Sequence, residues 1–180
     1  RGRRIRLSKE EGHLSKDSLG QIVYTNQRED RRIWATPVDS SLILVSNHRL
    51  LDEWSAPDTL PGSINFTAHQ SAPFLLSDGV TLYFAAKDSN GFGGLDIYVS
   101  RYNTATETYT TPENIGLPFN SPANEYLFVL DKTDGVGYLA TDRFAEEGMV
   151  HIYTFLVPEY KQYWKDLPAD SLAAYAQLQY

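Results

Sequence analysis

The sequence predicts an all-β fold built from repeated antiparallel meanders, followed by a short C-terminal helix. Two observations predict this class: identical residues recur 55 positions apart, and aromatic runs of strand length follow Asp-Gly dipeptides. A third observation, that no apolar run is long enough to span a bilayer, predicts that the chain has no transmembrane segment. The chain has 180 residues, 42% of them hydrophobic, which suffices for one domain with a core of its own.

The repeat joins positions that are 55 residues apart. After a one-residue insertion, Asp78-Gly79-Val80 also matches Asp134-Gly135-Val136. Because an Asp-Gly dipeptide favours a tight hairpin, both copies should follow the same backbone path. The identical pairs are Pro57 with Pro112, Asn65 with Asn120, Ala68 with Ala123, Leu75 with Leu130, Tyr83 with Tyr138, Ala85 with Ala140, and Ile97-Tyr98 with Ile152-Tyr153.

Each copy predicts a meander of three or four antiparallel strands. The strands expected in the first copy are 71–76, 81–85 and 95–100, with 102–109 as a fourth strand or its turn; those in the second are 125–130, 137–141 and 150–156. One such sheet cannot bury both of its faces, so consecutive sheets should stack. Stacked meanders at this period are typical of β-propeller blades.

A partial copy precedes the two full ones. Its strands are predicted at Gln21–Tyr24, at Arg32–Trp34 (matched to Asp96–Tyr98) and at Ser41–Ser46. About two and a half blades do not close a ring, which leaves a longer chain, several chains or an open array as alternatives. The predicted organisation is a basic N-terminal segment 1–19, a partial blade 20–50, blades 54–108 and 109–157, and a C-terminal tail 158–180. The helix of this tail is predicted to start near Pro168.

Charge and composition exclude several classes of function. Residues 1–49 carry a net charge of +4 and residues 50–180 carry −11, so the acidic body should repel nucleic acid. A basic end such as Arg1–Arg6 is usually a solvated tail. The chain contains no cysteine, which excludes disulfides, thiolate metal sites and a cysteine nucleophile.

At the repeated positions the chain resembles the TolB-like β-propeller repeats of bacterial envelope proteins. The resemblance covers about residues 20–157, and the second copy departs from it, with His151 in place of Asp96 and Glu125 in place of Gln70. It implies a non-catalytic propeller in the periplasm or at the outer membrane that contacts a protein or a cell-wall or glycan partner, and propellers of this kind are often joined to further domains in one chain. The residues that carry it are Trp54, Pro57, Ile64-Asn65, Asp78-Gly79, Leu82-Tyr83-Phe84, Gly91, Gly93-Gly94 and Asp96-Ile97-Tyr98.

Two loops carry the candidate contact residues. The first contains Asp88, Asn90 and Asp96 among several glycines, and the second begins with Asp142 and Arg143. Loops on a strand scaffold expose polar groups, so these five residues are predicted to contact the partner. The alternation of Asp and Asn also resembles the opening of a calcium loop, but no Glu closes the loop at its twelfth position. Asx turns explain the pattern equally well, and no metal or other cofactor is predicted.

An enzyme is the alternative from a different class. Some propellers hydrolyse glycosides with two carboxylates across a pocket, and Asp96, Glu125 and Asp142 are the acids placed to do so. A carboxylate at a strand edge more often binds backbone amides. The sequence therefore favours a binding module without catalytic residues and leaves a glycan-processing enzyme as the second hypothesis.

Overall fold

The computed structural model describes residues 5–157 and is all-β, with three antiparallel sheets after one short 3-10 turn at Lys9–Glu11. The first sheet contains β1 (His13–Lys16), β2 (Ile22–Thr25), β3 (Arg31–Val38), β4 (Ser41–Leu50), β5 (Glu53–Trp54) and β6 (Asp58–Thr59). The second contains β7 (Gln70–Leu75), β8 (Thr81–Lys87), β9 (Leu95–Asn103), β10 (Thr108–Tyr109) and β11 (Glu113–Asn114). The third contains β12 (Glu125–Asp131), β13 (Val136–Thr141) and β14 (His151–Leu156).

The all-β prediction is confirmed, and the six strands expected in the two full copies all form. Four strands lie in sequence order across the second sheet, with β11 also pairing β9, whereas the third sheet has three strands among residues 5–157. No sheet in this range closes on itself, so the blade arrangement of a propeller stays a prediction. The helix expected near Pro168 lies outside the described residues.

Two asparagines show that the sequence repeat is also a structural repeat. The Leu44 N–H donates to Asn65 Oδ1 over 2.7 Å, and Asn65 Nδ2 donates back to the Leu44 carbonyl over 3.0 Å. Asn120 makes the same pair of bonds with Ile97, at 2.7 and 2.9 Å. Each asparagine therefore clamps the last long strand of the sheet that precedes it, β4 in the first sheet and β9 in the second.

The clamps also correct the alignment of the partial first copy. Because Leu44 occupies the place of Ile97, β4 corresponds to β9, and β3 corresponds to β8. The alignment that the sequence predicts, Arg32–Trp34 with Asp96–Tyr98, is therefore wrong. Arg32–Trp34 lies in β3, which corresponds to β8, whereas Asp96–Tyr98 lies in β9. Trp54 lies in β5 of the first sheet, so a sequence unit that begins at this residue spans two sheets.

The sheets cover one another's apolar faces. Strand β7 packs against β2, β3 and β4, and β12 packs against β7, β8 and β9. The larger core cluster takes Ile33 and Leu44 from the first sheet, Phe74 from the second and Val129 from the third. A smaller cluster, centred on Ala85, Ile97, Phe128 and Leu139, lies between the second and third sheets. Hydrophobic burial thus joins all three sheets.

The N-terminal segment reaches the third sheet, which the sequence did not predict. The Ser8 N–H donates to Asp131 Oδ2 over 2.6 Å, and Glu11 Oε1 accepts the Lys132 N–H over 3.1 Å. The Tyr138 hydroxyl donates to the Arg6 carbonyl. Glu11 is only 1% exposed, so its carboxylate forms part of the structure at the turn between β12 and β13.

Replacing either clamp with alanine should destabilise the protein. Asn120→Ala leaves the buried N–H and C=O of Ile97 without these partners, and Asn65→Ala does the same at Leu44. An unsatisfied buried polar group costs about 1–3 kcal/mol, so each variant should lose about 2–4 kcal/mol of unfolding free energy, with the larger loss at the fully buried Asn120. Urea denaturation measures this.

The exposed Asn90 supplies the control, since its side chain makes no hydrogen bond within the described chain. Asn90→Ala should change the unfolding free energy by less than about 0.5 kcal/mol. If Asn65→Ala left the unfolding free energy unchanged, the structural equivalence of the two clamps would be contradicted.

Candidate functional site

The predicted contact residues all lie at one end of the three sheets. Antiparallel neighbours begin and end at opposite edges, so alternate connections meet at the same end. We call this end the loop face; it consists of residues 17–21, 39–40, 60–69, 88–94, 115–124 and 142–150. Asp88, Asn90, Asp142 and Arg143 lie in these loops, and Asp96 is the second residue of β9, directly beneath one of them.

Asp96 is buried beneath the loop that precedes it. It is 1% exposed, and its Oδ2 accepts hydrogen bonds from the Phe92 N–H and from Asn114 Nδ2. A Cβ at Gly91 would collide with the same carboxylate oxygen, so glycine allows the loop to fold tightly over Asp96. This carboxylate holds the loop in place and is not part of the exposed surface.

Asp88 and Asn90 form the Asx turn that the sequence suggested. Asp88 Oδ1 accepts the Asn90 N–H over 3.0 Å, and Oδ2 accepts the Tyr98 hydroxyl over 2.9 Å. Burial raises the pKa of Tyr98 to about 12, and the Asp88 carboxylate contributes in the same direction. Asn90 is exposed. Among residues 5–157 no group of three or more His, Cys, Asp or Glu side chains could hold a metal ion.

Asp142 organises the second loop and binds the segment that enters β12. Its Oδ1 accepts the Asn124 N–H, and its Oδ2 accepts Asn124 Nδ2 and the Tyr126 hydroxyl, each over 2.8 Å. Burial raises the pKa of Asp142, but the hydrogen bonds from Asn124 and Tyr126 outweigh burial and hold the pKa below its ordinary value. The carboxylate is therefore ionised at neutral pH, and both of its oxygens accept hydrogen bonds from within the chain.

Arg143 forms a buried ion pair with Glu125. Its Nη2 lies 2.8 Å from Glu125 Oε1, its Nη1 donates to the Pro118 carbonyl over 2.9 Å, and its Nη2 also donates to the Phe119 carbonyl. Glu125 is fully buried and also accepts hydrogen bonds from Ser121. In the second sheet the uncharged Gln70 takes the corresponding place and holds Thr67.

Asn124 joins the two predicted loops into one network. Its Oδ1 accepts the Leu95 N–H over 2.9 Å, while its amide groups bind Asp142. The Gly94 N–H donates to the Ala123 carbonyl over 3.1 Å, and a Cβ at Gly93 would collide with the backbone of Pro122. The predicted residues thus belong to one rigid assembly, in which the polar groups support the surface.

Most of the exposed large hydrophobic side chains of the described chain lie at the loop face. Of the eleven large hydrophobic residues that are exposed in the described chain, eight lie in its loops or directly beside them. Sequence reasoning missed this surface because these residues are spread over several loops, and the loops meet only in the fold. The eight are Leu19, Val38, Phe66, Phe92, Leu117, Phe144, Met149 and Val150.

Phe144 is the most exposed of these eight residues, at 89%. Its φ is 57°, in the left-handed region that a bulky side chain rarely adopts. The two preceding residues, Asp142 and Arg143, are held by the contacts described above, and the Ala145 N–H donates to the Asp142 carbonyl over 3.0 Å. The fold therefore holds an aromatic side chain out into solvent at the cost of backbone strain.

No family model matches the chain, and no curated protein matches it. Within residues 5–157, no helix is long and apolar enough to cross a membrane.

Asp142→Asn should destabilise the protein most at neutral pH. Because the folded-state pKa of Asp142 is lowered, the ionised carboxylate stabilises the fold above its unfolded-state pKa, and this contribution is lost as pH falls through the folded-state value. The difference in unfolding free energy between wild type and variant should therefore shrink from about pH 7 to about pH 3. Urea denaturation at several pH values measures it, and a difference that grows on acidification would contradict the account.

Arg143→Met should lower the unfolding free energy by about 3–5 kcal/mol, because it leaves the buried Glu125 carboxylate without its cation. Adding Glu125→Gln should recover part of this loss, since the second sheet carries Gln70 at the corresponding place. Thermal or urea denaturation of both variants provides the measurement. A double variant no more stable than Arg143→Met alone would show that the ion pair is not the cause.

Proposed function

We propose that this chain is a non-catalytic interaction module that binds a protein partner through its loop face. Its setting, by resemblance to TolB-like propeller repeats, is a bacterial cell envelope, in the periplasm or at the outer membrane. The observation that carries the proposal is the exposed Phe144, which is strained, rigidly supported and surrounded on the same face by other exposed apolar residues.

Such a surface is costly to the free chain, because apolar side chains are exposed to water. Exposed apolar patches on a rigid support are typical of protein-binding sites, and aromatic residues often supply most of the binding energy. The network through Asn124 fixes the loops before binding, which lowers the entropy lost on association. Backbone strain is common at functional sites, and Phe144 combines it with a place on the loop face beside other exposed apolar residues, a combination that the equally strained Leu51 lacks.

The carboxylates that would serve a glycan-processing enzyme have other partners. Glu125 is fully buried against Arg143, and both oxygens of Asp142 accept hydrogen bonds. Asp96 lies beneath its loop. A glycosidase needs one carboxyl group as a proton donor at the scissile bond and another facing the sugar ring, and these engaged groups favour the binding module over the enzyme.

Site-specific photocrosslinking tests the proposal in the native cell. Benzoylphenylalanine in place of Phe144 should give a crosslinked species of one discrete mass, and the same species should appear from Phe92. Leu51 is the matched control, because it is 98% exposed, has a φ of 58° and lies at the opposite end of the sheets. Crosslinking at Leu51 as strong as at Phe144, or none from either phenylalanine, would contradict the proposal.

Phe144→Gly should leave the unfolding free energy within about 1 kcal/mol of wild type, because relief of the left-handed strain offsets the greater freedom of the unfolded chain. By contrast, Phe74→Ala in the core should lower the unfolding free energy by about 3–5 kcal/mol. Thermal denaturation compares the two variants. A large loss with Phe144→Gly would mean that this phenylalanine serves the fold and not a partner.

A further inference from the structure

We infer that the partner meets the 142–150 loop with a basic protein segment that carries arginine next to apolar side chains. The inference rests on the proposed function and adds the chemistry of the partner. Two observations carry it: a preformed aromatic anchor, and beside it acidic side chains that form no ion pair within residues 5–157.

The anchor is Phe144, whose ring is available before any partner binds. Its exposure and left-handed backbone are fixed by the preceding Asp142 and Arg143. Burying such a ring favours association through the hydrophobic effect. The ring alone would accept any apolar partner, so the adjacent charges decide which partner is preferred.

The acidic side chains are Glu146 and Glu147, which are both exposed. Neither takes part in an ion pair within residues 5–157, whereas the charges of Asp142 and Arg143 are already satisfied internally. A turn in which the Met149 N–H donates to the Glu146 carbonyl over 2.9 Å keeps the two glutamates in the same loop as Phe144. The uncompensated charge beside the anchor is therefore negative.

This charge selects among the possible macromolecular partners. Anionic lipid surfaces and nucleic acids carry the same sign as the loop and as the body of the chain, which has a net charge of −11 over residues 50–180. A basic protein segment has the opposite sign and gains both charge complementarity and apolar burial. It is the partner that both properties of the loop favour.

Arginine fits better than lysine because a guanidinium group can stack on an aromatic ring and bind a carboxylate at the same time. Arginine stacks on an aromatic ring in this way within the chain itself, where the guanidinium carbon of Arg32 lies 3.8 Å from the ring centroid of Trp54. At the 142–150 loop, an incoming arginine would stack on Phe144 and pair with Glu146 or Glu147.

Peptide binding provides the test. The probes are fluorescein-labelled peptides of four Arg-Leu, four Ser-Leu or four Glu-Leu repeats, measured by fluorescence anisotropy at low and high salt. The intact chain should bind the Arg-Leu peptide most tightly, and the affinity should fall as salt rises. Phe144→Ala and the double variant Glu146→Lys, Glu147→Lys should each weaken this binding at least about tenfold, a loss of about 1.4 kcal/mol.

The turn at Leu50–Glu53 is the matched control, since it also combines exposed leucines with two acids, but Asp52 is paired with Arg49 at 3.7 Å. The double variant Asp52→Lys, Glu53→Lys should leave binding of the Arg-Leu peptide within about twofold of wild type. An equal loss in this control would overturn the inference, because the effect would then reflect net charge alone. Equal binding of the Ser-Leu peptide would overturn it as well.

Failure of the inference can be distinguished from failure of the proposed function. If the crosslink from Phe144 persists after both glutamates are replaced by lysine, the loop binds a partner that is not basic, and only the inference fails. If no crosslink forms at Phe144 in the wild-type background, the proposed function fails, and the inference fails with it.

Discussion

The structure depends on the mutual covering of apolar sheet faces. Each of the three meanders would expose an apolar face to water if it stood alone, because a sheet of three to six strands cannot bury both of its faces by itself. Strand β7 covers the first sheet, and β12 covers the second. Leu44, Phe74 and Val129, one from each sheet, therefore belong to one continuous core, and the fold is a property of the stack.

Buried polar contacts then fix how the sheets sit at the loop face. Asn65 and Asn120 clamp equivalent strands, Asn124 connects the two loops, and Glu125 pairs with Arg143. Each of these groups would be costly to bury without its partner, so together they specify one loop arrangement. The exposed, strained Phe144 is the consequence that bears on function, because a rigid support is what holds an apolar side chain out into water.

Much of the fold could be predicted from the sequence, whereas little of the site could. Turn dipeptides and the 55-residue spacing located the strands, and Asn65 and Asn120 were among the repeated residues because the same backbone clamp is needed twice. Asp96 and Arg143 were predicted to contact a partner, but both are engaged within the fold, and these contacts join distant parts of the chain in a way that one sequence does not reveal. Phe144 gave no local signal, since its exposure follows from how its neighbours are held. The TolB-like resemblance stays a prediction.

Native-state hydrogen exchange tests most directly whether the three sheets form one stack. The amides of Ile33, Phe84 and Leu139 each lie in a central strand of a different sheet and are buried. If the sheets are stable only together, all three amides should exchange through the same global unfolding, with one common free energy as denaturant is raised. If Leu139 opens at a clearly lower free energy than Ile33 and Phe84, the third sheet is an independent unit and the account is contradicted.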